Sequence, residues 1–204
     1  MLMANKRRQT GKPLRLKTLA QEKIVRIVMT CFFLLLSVTA SVFAEETMAW
    51  RQDGKPIQNE EARKSINGFG AALIITPDAD WEAKWNTPSD TRPRFSTVDK
   101  LKIGAEATVL IFFANPMLNP DGRVDVTCDV KITRPNNKVT ENKGLRGFTG
   151  NLKGPTTYTY LTESVIRFVG EPTDPIGEWI IEVTVNDNYR QVSVPLRAKF
   201  ELTK

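Results

Sequence analysis

The segment 174–202, DPIGEWIIEVTVNDNYRQVSVPLRAKFEL, restricts what this chain can fold into more than any other stretch. Trp179, Ile181, Val183 and Val185 alternate with Glu178, Glu182, Thr184 and Asn186, the period of two expected of a half-buried strand. After a polar turn over 187–190 the alternation resumes in Val192, Val194, Leu196, Ala198, Phe200 and Leu202, with Gln191, Ser193, Arg197, Lys199 and Glu201 opposite. Two such strands form an antiparallel hairpin with one apolar face. A lone hairpin is marginal in water and must bury that face against a second layer.

The rest of the chain is expected to supply that layer. Residues 69–76, FGAALIIT, are a short apolar run ended by Pro77, as suits a strand buried on both sides. In 106–114 Ala107, Val109, Ile111 and Phe113 alternate with Thr108, Leu110 and Phe112, so both faces are apolar and the strand is central. Residues 123–133 alternate cleanly, with Val124, Val126, Cys128, Val130 and Ile132 on one face, and 134–137 is a turn into Lys138, Val139 and Thr140. Residues 161–169 read as a further strand. Between 78 and 88 Asp78 or Asp80 can cap a short helix that places Trp81 and Trp85 at i and i+4, with Pro88 as its stop. The glycine-rich stretch 141–160 breaks the alternation and reads as a long loop, with Leu145, Phe148 and Leu152 spaced as though gripping a surface. The sum is an all-β antiparallel β-sandwich of about seven strands with one short helix over 68–204. Residues 45–67 read as a loosely attached polar arm, with Trp50 as its hydrophobic handle.

The segments ITRPNNKVT, 132–140, and DPIGEWIIEVTV, 174–185, resemble immunoglobulin-like domains of the fibronectin and macroglobulin types, the first as strand, proline-containing turn and strand. In the second, Pro-x-Gly precedes an aromatic residue and an alternating strand. The stretch 69–202 also resembles a recurrent class of secreted bacterial single-domain proteins. The resemblance implies an immunoglobulin-like sandwich and an extracytoplasmic address, and carries no catalytic residues with it. Trp179 stands where the family more often has tyrosine, and the family's inter-sheet disulfide has no counterpart.

The address has its own support in the first 44 residues. Lys6, Arg7, Arg8, Lys12, Arg15, Lys17, Lys23 and Arg26 precede an uncharged run over 27–44, with Val42 and Ala44 suited to the −3 and −1 positions of a cleavage site. We read 1–44 as a signal peptide cleaved near Ala44, giving a periplasmic or secreted product. An uncleaved leader anchored in the inner membrane is the alternative. The leader also explains the charge: of 29 basic and 23 acidic residues it holds 8 and 1, leaving 29 − 8 = 21 against 23 − 1 = 22, a net of −1. The basic balance of the whole chain is therefore no argument for nucleic acid, and membrane contact is expected only through the leader. Cys31 lies in the leader, so Cys128 has no partner in the remainder for an internal disulfide and reads as a packed core thiol.

The chain has no histidine, which removes Ser-His-Asp and Cys-His arrangements and the commonest zinc ligand. Gly68, Phe69 and Gly70 lack the third glycine and following helix of a phosphate loop. Three acid pairs, Asp78 with Asp80, Asp121 with Asp125 and Asp174 with Asp187, are the candidates for carboxylate hydrolysis or calcium. Each also reads as a helix cap, a turn residue or a solvated strand face. No cofactor and no metal is expected. The favoured reading is a non-catalytic binding or accessory module of the cell envelope with a protein partner. A carbohydrate-binding accessory using Trp81 and Trp85 is the alternative, and a carboxylate hydrolase the second. Pro195 marks a protected edge, so the end loops are preferred as the binding surface, with Trp81, Trp85, Phe148 and Tyr158 as its candidate residues.

Overall fold

The computed structural model describes residues 49–52, 54–88 and 93–204. The chain divides into two compact units, 1–43 and 44–204, and every described residue belongs to the second. The leader reading lies outside the described residues.

The second unit is an all-β sandwich. Its strands are β1 (Arg51–Gln52), β2 (Lys55–Pro56), β3 (Arg63–Ile66), β4 (Phe69–Thr76), β5 (Lys100–Lys102), β6 (Glu106–Ala114), β7 (Val124–Thr133), β8 (Val139–Gly150), β9 (Thr159–Leu161), β10 (Ile166–Val169), β11 (Gly177–Asp187) and β12 (Val192–Thr203); the helix α1 is Trp81–Trp85. One five-stranded sheet runs β10-β6-β4-β3, with β9 also on β6; the other runs β5-β12-β11-β7-β8; β1 and β2 make a small ribbon. The pairs are antiparallel except β12 with β5, which is parallel.

The ribbon β11–β12 lies where its alternation requires. Trp179 stands opposite Phe200 and Val185 opposite Val194, and all four face the interior, at most 3% exposed. They meet Phe69, Leu73, Val109, Ile111 and Phe113 of the facing sheet in one continuous cluster. Each such side chain, once buried, contributes about 1.5–3 kcal/mol. One end of the core is aromatic: Phe168 meets Trp179 and Phe200 edge-on at 4.9 Å, and Arg134 lies 5.5 Å from the Trp179 ring centre. Cys128 is buried in the same cluster, and desolvation pushes its thiol up to about 12.

Strand β6 is apolar on both faces, and both are covered. Leu110 and Phe112 point away from the inner cluster yet are buried, with Trp85 and Phe95 packed on Phe112 at 5.3 and 5.9 Å between ring centres. Trp50 closes the same layer. Its indole N–H donates to the Lys64 carbonyl, and a Cβ at Gly70 would come within 2.9 Å of its ring.

Four expectations need correction. Residues 141–150 are no loop: they extend the turn at 134–138 into the 12-residue strand β8, paired with β7 through irregularities beside Thr127 and Asp129 that absorb its glycines. Residues 161–169 hold the end of β9 and all of β10, because the chain after Thr162, whose N–H still donates to the Ile111 carbonyl, leaves the sheet to meet β8, where Glu163 N–H donates to the Gly147 carbonyl. The arm 45–67 is attached over its described residues, β3 pairing with β4 and Ser65 buried. Asp80 stands at the helix N-cap but makes no capping bond, because its carboxylate and that of Asp78 both engage Lys84, at 3.1 and 2.8 Å. Pro195 lies on β12, which is not the outermost strand, at a position the short β5 does not reach. Arg197, in the same phase of β12, donates outward to the Glu61 carbonyl at 2.8 Å.

Candidate functional site

The turns β3–β4, β6–β7, β8–β9 and β11–β12 all fall at one end of the sandwich and are held together by a buried charged knot. Its centre is Asp187. In the odd-numbered series Trp179, Ile181, Val183, Val185, this carboxylate occupies the next inward position and is 1% exposed. One oxygen accepts the Met117 N–H at 2.7 Å, the other the Arg190 N–H at 3.0 Å, and Arg190 Nε stands 3.4 Å away. The Arg190 guanidinium continues outward, Nη1 donating to the Asn67 carbonyl and Nη2 to the Asn115 carbonyl, each at 3.0 Å. Asn115 closes the circuit by donating from Nδ2 to the Gly68 carbonyl at 2.8 Å, while its N–H donates to the Thr156 carbonyl at 2.7 Å. A planar guanidinium with several fixed donors can bind a carboxylate and two carbonyls at once. The two asparagines that receive it have φ of 48° and 54°, a conformation that asparagine tolerates better than most residues.

The knot presents apolar side chains to solvent. Met117 and Leu118 are 42% and 45% exposed, directly after the Asn115 junction. Tyr189, 40% exposed, lies between Asp187 and Arg190 in the chain, and its hydroxyl meets Asn119 Nδ2 at 3.4 Å. Tyr158, 55% exposed, belongs to the 151–158 loop that Thr156 ties to Asn115. A shallow open depression of about 360 Å³ at the same end is lined by Asp121, Arg123, Gly150 and Asn151.

The four residues singled out in the sequence divide among three settings. Tyr158 belongs to this surface. Phe148 packs on the core, its ring 6.1 Å from Phe113, and Leu145 and Leu152 pack there too, so what these three grip is the protein's own interior. Trp81 and Trp85 are both half-buried at the two ends of α1, and Trp85 packs on the outer side of β6 against Phe112. Adjacent residues of a strand point to opposite faces, so Trp85 over Phe112 and Phe148 against Phe113 lie on opposite sides of one sheet. Nearby, Tyr160 stacks on Phe113 at 5.5 Å and donates to the Pro155 carbonyl, and burial raises its phenol.

The acid pairs do not form a common cleft. Asp174 precedes β11 and Asp187 ends it, so the strand's 11 residues separate them by about 33 Å. Asp78 is engaged by Lys84 and the Ser96 N–H, which hold its carboxyl down at about 2. Asp125 accepts the Thr149 hydroxyl, and Asp121 lies in the preceding turn. Among the described residues no three acids or cysteines are grouped as metal ligands, and no helix is long and apolar enough to cross a membrane.

The sequence reading missed Met117, Leu118, Tyr189 and the pair Asp187–Arg190. A signal was there: an acid in the inward phase of an apolar strand must find partners or lower stability. Two adjacent apolar residues between the prolines of NPMLNPDGR pointed the same way.

No protein-family model matches the chain, and no curated protein matches it. Among solved structures it is similar to the alkylpurine DNA glycosylase AlkC of Pseudomonas fluorescens, at 13% identity and a TM-score of 0.37, over 65% of this chain and 29% of that one. It is similar to a family 123 glycoside hydrolase from Clostridium perfringens, at 10% identity and a TM-score of 0.36, over 65% of this chain and 27% of the hydrolase. A Niemann-Pick type C2 protein from Japanese carpenter ant aligns at 9% identity and a TM-score of 0.35, over 64% of this chain and 89% of that protein.

Proposed function

We propose that this chain is a non-catalytic, immunoglobulin-like binding module of the bacterial cell envelope, exported by its leader, whose protein partner docks on the loop end of the sandwich. The observation that carries this reading is the placement of exposed Met117, Leu118 and Tyr189 on loops fixed by a buried ion pair. Exposed apolar side chains on a rigid base are what protein recognition uses. They supply contact area without the loss of freedom that mobile loops suffer on binding. The alternative that the tryptophans stack on sugar rings has less support, since Trp85 is engaged with Phe112.

The test is retention of envelope proteins by the chain and by its Leu118→Glu and Tyr189→Ala variants, with thermal midpoints measured alongside. A partner held by the parent and released by both variants at unchanged midpoints agrees with the proposal. Equal retention by all three, or release only when the midpoint collapses, removes the surface from consideration.

A further inference from the structure

The two sides of the sheet β5-β12-β11-β7-β8 are treated differently, and the edge at β8 is left open. Along β12 the outward N–H groups of Arg197 and Glu201 go to the carbonyls of Glu61 and Asp99, and Pro195 has none to offer. Strand β8, at the other edge of that sheet, contains no proline. Alternate residues of an antiparallel ladder direct both backbone groups to the same neighbour. Arg134 N–H donates to the Lys138 carbonyl, so Thr140 and Asn142 bond to Ile132 and Val130. Val139, Glu141 and Lys143 therefore turn their N–H and C=O groups to the open side, where no described residue meets them. The open stretch is bounded. At Gly144, φ 65°, the N–H turns to the Asp129 carboxylate at 2.7 Å, and beyond it Ser164 and Glu163 cap the carbonyls of Arg146 and Gly147.

We propose that the 141–143 edge of β8 pairs with the same three residues of a second copy of this chain, antiparallel about a two-fold axis at Asn142. The side chains select both the occupant and the register. Centring the axis on Glu141 or on Lys143 would set like charges directly opposite each other, which destabilises a sheet pair. Centring it on Asn142 sets Glu141 of each copy opposite Lys143 of the other, so the three residues 141–143 supply two ion pairs and their backbone partners. Glu141, Asn142 and Lys143 are all exposed in the single chain, Glu141 standing opposite Lys131 of β7 within it. A two-fold interface of this kind is self-complementary and closes after two subunits, so it does not propagate into a fibre. The short ladder makes the dimer weak and concentration-dependent.

Sedimentation equilibrium of the purified chain, from about 10 µM to about 1 mM, reads the association directly. Glu141→Lys and Lys143→Glu each convert both ion pairs into repulsions, and each should weaken the dimer by about tenfold or more. The double variant E141K/K143E restores the pairs and the association. Mixing the two single variants should give a heterodimer, because one then offers only lysines and the other only glutamates. Both positions are exposed, and unchanged thermal midpoints would show that the fold is intact in every sample. A chain that stays monomeric throughout overturns the proposal, as do single variants that associate like the parent. A mixture that associates no better than its components overturns the register, and with it the choice of a second copy over a foreign strand.

Discussion

Replacing Asp187 by alanine tests whether the knot, and not sheet pairing alone, fixes the loop end. The substitution removes the acceptor for two backbone N–H groups and the counter-ion of Arg190, whose side chain is 21% exposed. Breaking a buried ion pair from one side costs about 3–5 kcal/mol, because the remaining charge is uncompensated. The Arg190 side chain is partly exposed and water can rehydrate it in part, which places the expected loss near the lower figure, about 3 kcal/mol. Asp187→Asn keeps the shape and one acceptor oxygen and should lose about 1–2 kcal/mol. Urea unfolding of parent and variants measures this, and an unchanged slope would attribute the difference to stability and not to the compactness of either state. A double-mutant cycle with Arg190→Met isolates the pair. If Asp187→Ala loses less than about 1 kcal/mol at constant slope, the inward carboxylate is no more than a tolerated passenger and the account of the loop end fails.

Phe148→Ala should lower stability by about 2–4 kcal/mol, as a core truncation does, whereas Tyr158→Ala should change it by no more than about 0.5 kcal/mol; equal effects would contradict their different settings. Cys128 should resist a thiol reagent in the native chain and react fully in denaturant, since burial holds its thiol up at about 12; rapid native labelling would show that the β7–β8 layer opens. The Asp78 carboxyl titrates at about 2 in the fold against an ordinary 3.8, so its contribution is complete above about pH 4 and is lost as the pH falls toward 2. Asp78→Asn should flatten the acid limb of the thermal midpoint in that window, and an unchanged limb would mean that the contact with Lys84 is not maintained in solution.

The sandwich was legible where burial imposes a period. The ribbon β11–β12, the doubly apolar β6 and the alternating β7 each declare their faces, because one residue out of register would expose the whole apolar set. Strand β8 was illegible for the complementary reason. As an edge strand it is solvated over much of its length, its side chains carry no consistent alternation, and its irregular pairing reads as glycine-rich loop. Phe148 followed from that error, since an aromatic residue in a loop suggests a partner and the same residue in a strand suggests a core. The candidate surface was partly legible. Tyr158 was named, but Met117 and Leu118 depend on contacts some 70 residues distant, as between Met117 and Asp187, and no local pattern encodes them. Asp187 is visible both as the start of a turn and as a candidate acid beside Asp174, but its partner Met117 is 70 residues away.

The parallel pairing of β5 with β12 has a consequence for how the molecule assembles. It joins segments about a hundred residues apart in the chain, as between Leu101 and Thr203. The β11–β12 ribbon can form from its own short turn within microseconds, but closure of so long a loop is entropically slow and comes afterwards. The facing strands β4 and β6 lie as far from the ribbon in sequence, so until they too close over it the ribbon carries its valines and aromatics uncovered, an adhesive stage that the finished sandwich conceals. Refolding yield should therefore fall as protein concentration rises, and a holding chaperone would act during this interval.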